Sequence, residues 1–205
     1  MSILNQAKKE LQLKIVYYGP AVCGKTTNLI KVHENVQTAQ EKGKLVSLAT
    51  SSDRTLFFDF LPIEAMSVLG YKTKFQLYTV PGQVIYNTTR QLVLKGVDGI
   101  VFVADSQYEK MQENVESFQN MEDNLKSLNF KLADIPYVLQ YNKRDLPNVA
   151  PKEYMEFLLN NREVQVPSFE ACAHECEGVF ETLNMITRIL LSKFLSGLGG
   201  NTRKA

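Results

Sequence analysis

The run Gly19 to Thr26, GPAVCGKT, places a glycine, four further residues, a second glycine, a lysine and a hydroxyl residue in fixed order. That spacing suits a loop whose backbone N–H groups wrap a phosphate chain. Gly19 and Gly24 supply the backbone freedom, and Ala21, Val22, Cys23 and Thr27 complete the cradle. The ammonium of Lys25 reaches the β- and γ-phosphates of a nucleotide, and the hydroxyl of Thr26 faces Mg²⁺. The context fits. A strand-like run, Leu13 to Tyr18, leads in, and a helix-like run, Lys25 to Asn35, leads out, so the positive end of a helix dipole faces the anion.

A second constellation, Asn142-Lys143-Arg144-Asp145, follows the strand-like PYVLQY. The Asp145 carboxylate can accept from N1–H and the 2-amino group of guanine at once. Adenine offers no such pair, so selectivity for guanine follows. Asn142 can bond the other base edge and tie this loop to the phosphate loop, while the stem of Lys143 covers the base face. Further on, Cys172 and Ala173 lie in a small-residue loop able to offer backbone N–H groups to guanine O6. Cys172 also reads as an ordinary core thiol.

These loops need a scaffold that holds them at one edge. Strand-like runs (Leu11 to Tyr18, Phe75 to Val80, Gly99 to Asp105, Pro136 to Tyr141, Pro167 to Ala171) alternate with helical stretches. The helical stretches are Lys25 to Asn35, Asn114 to Leu128, Pro151 to Leu159 and Phe180 to Leu195. The pattern predicts an α/β fold of the P-loop nucleotide-binding type, a mostly parallel sheet with helices on both faces. In such sheets ligands sit beyond the carboxyl ends of the strands, where every motif above falls. The segment Thr55 to Pro62 reads as strand or helix edge. Leu183, Ile186, Ile189, Leu190 and Phe194 form a stripe at helical spacing, which reads as core. A single domain over residues 1–196 is expected, with a flexible, frayed tail over 197–205.

Composition narrows the classes. A chain of 205 residues, 44% hydrophobic and of net charge +1, can bury a sizeable core and lacks the charge of a nucleic-acid binder. No apolar run is long enough for a transmembrane span, and the first dozen residues do not read as a secretory signal. Cys23, Cys172 and Cys176 read as reduced thiols of a cytoplasmic protein, too few for a thiolate metal site.

Together, IVYYGPAVCGKTTNL, LVSLATSSDRTLFFDFLP, LYTVPGQVIYN, GVDGIVFVADS and NKRDLP resemble the bacterial MglA family of Ras-like small GTPases. The resemblance implies a GTP-binding switch with slow hydrolysis. Gln83 orients the attacking water, Gly82 gives its N–H to the γ-phosphate, and Thr55 closes on Mg²⁺ and the γ-phosphate. Arg54 serves as a built-in arginine finger; read without the resemblance, it is a loop charge. Thr79 stands where Ras-like proteins carry a metal-facing Asp, and its hydroxyl can bond only a metal-bound water. Asp53 and Asp59 are candidate substitutes by nearness in sequence alone. Ala21 stands where many such proteins have Gly, and its methyl group crowds the catalytic glutamine. The apolar residues beside the two loops, Leu56, Phe57, Phe58, Val84, Ile85 and Tyr86, read as core or as a partner surface.

The resemblance further implies a Roadblock-domain activating partner of the MglB type, effectors of cell polarity and surface motility, recruitment to a cell pole, and a monomer. Two other readings stay open. One is a nucleotide-gated binding module with negligible catalysis, favoured by Thr79 and Ala21 and opposed by Gln83 and Arg54. The other is an ATP-using P-loop protein, opposed by NKRD.

Overall fold

The computed structural model describes residues 3–5, 7–36, 45–49, 55–68 and 70–201. In chain order the strands are β1 (Ile3–Asn5), β2 (Glu10–Tyr18), β3 (Val46–Ala49), β4 (Thr55–Val68), β5 (Tyr71–Thr79), β6 (Gly99–Asp105), β7 (Tyr137–Asn142) and β8 (Ser168–Glu170). The α-helices are α1 (Lys25–Asn35), α2 (Asn87–Leu94), α3 (Met111–Ser127), α4 (Lys152–Leu159) and α5 (Val179–Asn201). One sheet runs β3-β4-β5-β2-β6-β7-β8, with β1 paired onto β2.

The middle of the sheet is parallel: β2 lies between β5 and β6, and β6, β7 and β8 continue in the same sense. β3, β4 and β5 are joined antiparallel, and β1 is antiparallel to β2. The expected α/β fold with a mostly parallel sheet is therefore the observed one, with its antiparallel pairings confined to β1 and to the β3-β4-β5 side.

The continuous apolar run of β6 is buried along its whole length because helices cover both faces. Its side chains alternate. Ile100, Phe102 and Ala104 pack with Phe118, Met121 and Leu125 of α3, while Val101 and Val103 pack with Leu29 and Val32 of α1 and Leu183, Ile186 and Leu190 of α5. The stripe expected on the last helix is thus core, with Ile189 and Phe194 at its margin. The ambiguous Thr55 segment is strand, because β5 pairs with it from Phe60 to Val68.

Three differences from the sequence reading have plain causes. The frayed tail expected from residue 197 is helical as far as Asn201, because α5 simply continues; residues 202–205 lie outside the described residues. The short β1 and β3 carry too few residues for a visible period. Helix α2, NTTRQLVL, has a polar first half that hides its apolar face.

Candidate functional site

The phosphate loop is held between the end of β2 and the start of α1. Val22 adopts φ 61°, a conformation costly for a β-branched residue, and its side chain is 64% exposed. Gly24 has φ 103°, and a Cβ there would lie 2.1 Å from Asn142 Nδ2, so neither conformation nor space allows another residue. No side chain caps α1, and its first turn has no acidic residue. Its leading N–H groups are thereby suited to an anion.

Lys25 is buried. Its Nζ donates to the carbonyl oxygens of Gly19 at 3.1 Å and Pro20 at 2.5 Å, and approaches Cys23 Sγ at 3.6 Å. Burial holds its pKa below the ordinary lysine value, and the charge of Arg90 pushes the same way. Burial also pushes the Cys23 thiol up, away from the reactive thiolate. Phosphate oxygens would favour the charged form of Lys25.

On the base side, Asn142 Nδ2 donates to Cys23 O at 2.8 Å, and Asn142 Oδ1 accepts from Ala173 N at 2.8 Å. One buried amide joins the phosphate loop, the NKRD turn and the loop after β8. Lys143 Nζ pairs with the buried Asp105 at 2.6 Å, which fixes the lysine stem at the pocket edge. Asp145 is exposed and lines an open cleft of about 390 Å³ with Cys172 and Glu175. Burial first, and then the neighbouring Asp145, raise the Cys172 pKa.

The loop after β8, whose amides the sequence reading offers to guanine O6, is closed by hydrogen bonds of its own. Cys172 N–H donates to Glu177 O at 3.1 Å and Ala173 N–H to Asn142, because the loop closes tightly on itself and on the NKRD turn.

On the metal side, Asp59 is a candidate from the sequence only by proximity, together with Asp53. Here it is fully buried, and its Oδ2 accepts from Thr26 Oγ1 at 2.6 Å and Thr79 Oγ1 at 2.7 Å, while its own N–H donates to Thr79 Oγ1 at 2.9 Å. The antiparallel register of β4 and β5, with Phe60 opposite Tyr78, sets Asp59 across from Thr79. Thr79 therefore supports a carboxylate delivered by the neighbouring strand. Two hydroxyls and a carboxylate form a hard-oxygen set that suits Mg²⁺.

Gly82 packs on the phosphate loop: a Cβ there would lie 2.3 Å from Ala21 Cα. Gln83 follows, half-buried, at the start of a turn of 3₁₀ helix, Val84–Tyr86, and Ile85 of that turn is 80% exposed. Thr55 begins β4 opposite Ala49. Asp53 and Arg54 lie outside the described residues, as do the side chains of Thr55, Leu56, Phe57, Phe58 and Val84.

A buried amide cluster escaped the sequence reading. Asn28 of α1 and Gln140 of β7 exchange reciprocal hydrogen bonds of 2.8 and 3.0 Å. Asn28 also donates to Gly24 O, and Gln140 donates to Thr182 Oγ1 of α5. The signal was present as a lone glutamine in the apolar run PYVLQY, since a polar side chain inside a buried strand requires a partner.

The model of the ADP-ribosylation factor family matches residues 1–190. The chain is 52% identical over 197 residues to the mutual gliding-motility protein MglA of Myxococcus xanthus, spanning 96% of this chain and all of that protein. It is 26% identical over 193 residues to the Ras-related protein Rab-13 of Canis lupus familiaris, spanning 94% of this chain and 86% of that one. For Rab-13 of Rattus norvegicus the figures are 26% over 194 residues, 93% and 86%. Among the described residues no helix is long and apolar enough to cross a membrane.

Proposed function

The chain belongs to the ADP-ribosylation factor family of Ras-like, MglA-like small GTPases, and from that premise we propose how its residues bind and hydrolyse GTP and what the switch controls. The backbone from Gly19 to Thr27 wraps the phosphates, with Lys25 against the β- and γ-oxygens. Asn142, Lys143 and Asp145 form the guanine pocket, with Asp145 reading the N1–H and 2-amino edge. Thr26 and Asp59 hold Mg²⁺, and Thr79 orients the Asp59 carboxylate by a hydrogen bond. The ion, when bound, offsets the charge of the phosphate oxygens.

Gln83 orients the attacking water, Gly82 donates its amide to the γ-phosphate, and Thr55 closes over it. Arg54 stabilises charge on the transferred group, an effect worth about 10³–10⁵ in rate for arginine fingers generally. Loss of the γ-phosphate releases Thr55 and Gly82, and the two loops relax. A Roadblock-domain protein of the MglB type favours the closed form, with the exposed Ile85 beside the switch available to it. The output is control of gliding motility, as the name of the Myxococcus relative suggests, and with it of cell polarity. The working form is a monomer recruited to a cell pole.

The observation that carries this reading is the Asn142 amide, bonded at once to the phosphate loop and to the loop beyond β8, which makes phosphate and base pockets one unit. Nucleotide competition and GTP turnover test it. The purified chain is expected to prefer GTP and GDP to ATP. Turnover is slow alone and rises with the Roadblock partner, and Arg54→Ala removes the rise. Equal affinity for ATP and GTP would overturn the base assignment. A partner that never raises turnover would overturn the regulatory one.

A further inference from the structure

Arg90, on α2, is 1% exposed. Its Nε donates to Pro81 O at 2.9 Å, its second terminal nitrogen donates to Gly82 O at 2.5 Å, and its first donates to Asn120 Oδ1 of α3 at 2.6 Å. The guanidinium lies 5.4 Å from the ring centre of Tyr18, the residue just before the phosphate loop. Tyr18 itself donates to the same Asn120 oxygen at 2.7 Å. Among the described residues, these acceptors are all neutral. Taking a guanidinium out of water to meet only carbonyls and an amide is costly, so a hydrophobic residue would serve packing better.

The geometry of the acceptors supplies a reason for the charge. Pro81 C=O and Gly82 N–H belong to one planar trans peptide and point in opposite directions, so fixing one fixes the other. Gly82 C=O and Gln83 N–H form the next such plane. The Arg90 fork grips both carbonyls, and Gly82 is pressed on its other side against Ala21.

We propose that Arg90 is a positioning residue for the γ-phosphate: it sets the two peptide planes flanking Gly82, aims the Gly82 amide and fixes the backbone from which Gln83 extends. This rests on the roles given above to Gly82 and Gln83. Asn120 and Tyr18 link the same fork to α3 and to the end of β2, so a γ-phosphate that draws on Gly82 also acts on the α2–α3 contact. Lysine cannot replace the fork, since an ammonium is a point charge and does not span two carbonyls in a plane.

The test compares affinity for GDP and for a slowly hydrolysed GTP analogue in the unaltered chain and in Arg90→Gln, Arg90→Lys and Asn120→Ala. GDP affinity reports folding and the pocket that Arg90 does not touch. In Arg90→Gln, GDP affinity is expected to stay within about threefold, while analogue affinity falls about tenfold or more, the size of one charge-assisted hydrogen bond. Arg90→Lys should resemble Arg90→Gln in this ratio, and Asn120→Ala should shift it less, in the same direction. The proposal is overturned if GDP and analogue affinities fall together, if neither changes, or if lysine restores the ratio. A chain that binds neither nucleotide before any substitution overturns the functional reading itself, and this proposal with it.

Discussion

The base end and the phosphate end of the pocket are built from different chemistry. On the base side, buried neutral amides tie the loops to one another, Asn142 to Cys23 and Ala173, with Asn28 to Gln140 beneath them, and one ion pair, Lys143 to Asp105, sits at the edge. At the end proposed for the γ-phosphate and metal, the ties run through charged groups: Asp59 to two hydroxyls, Arg90 to two carbonyls, and Lys25 to the carbonyls of its own loop. Neutral amide pairs carry no net charge for a ligand to compete for, so the Asn142 ties are expected to stay the same whether GDP or GTP is bound. Charged groups are drawn strongly to a triphosphate or a cation, so the phosphate end can exchange its partners. A switch requires this division, with one half that holds and one half that responds.

The largest test of the contrast is Asp145→Asn. It replaces a carboxylate acceptor by an amide at the guanine edge, and guanine nucleotide affinity is expected to fall about 100-fold, the loss of roughly two charge-assisted hydrogen bonds. GDP and GTP should lose equally, as competition binding would show. Asp59→Ala comes next. It removes the carboxylate and leaves the Thr26 and Thr79 hydroxyls without that acceptor. GTP affinity in Mg²⁺ is expected to fall about tenfold or more, towards the value measured with a chelator. A variant with undiminished Mg²⁺ dependence would return the metal site to other residues.

Gln140→Leu leaves the buried Asn28 Oδ1 without its donor, while Asn28 Nδ2 keeps Gly24 O and Thr182 Oγ1 keeps Gly178 O. It should cost about 1–3 kcal/mol in urea unfolding while leaving the GTP-to-GDP affinity ratio alone. Adding Asn28→Leu should recover part of that loss, because two apolar partners strand one group fewer. At the foot of the scale, Lys110→Ala breaks the exposed ion pair with Glu113, 2.7 Å long, and should change stability by no more than about 0.5 kcal/mol.

Much of the scaffold was legible. GIVFVAD reads as a strand because burial on both faces leaves no polar position, and its bounds are those observed, Gly99–Asp105. Helix α1 was equally plain, bounded by Gly24 before it and by the loss of period after Asn35. The phosphate loop and NKRD were legible because each is local, its chemistry held within a few consecutive residues. Asp59 was not, because its meaning depends on Thr79, twenty positions away, and only the β4–β5 register brings the two together. Arg90 was silent for a related reason. An arginine in a short polar helix reads as surface charge, and its burial follows from how the turn before α2 folds back beneath it. For the loop after β8, sequence shows which amides it contains but not that Cys172 and Ala173 use theirs to close the loop.

Strand β2 carries the phosphate loop at its end and is flanked on both sides, by β5 and β6. Its amides can exchange with deuterium only when the central sheet opens, so their protection reports the whole molecule and not a local opening. Bound nucleotide therefore stabilises that entire unit by mass action, in proportion to the logarithm of its concentration over Kd. The melting temperature of the chain becomes a gauge of how much ligand it holds.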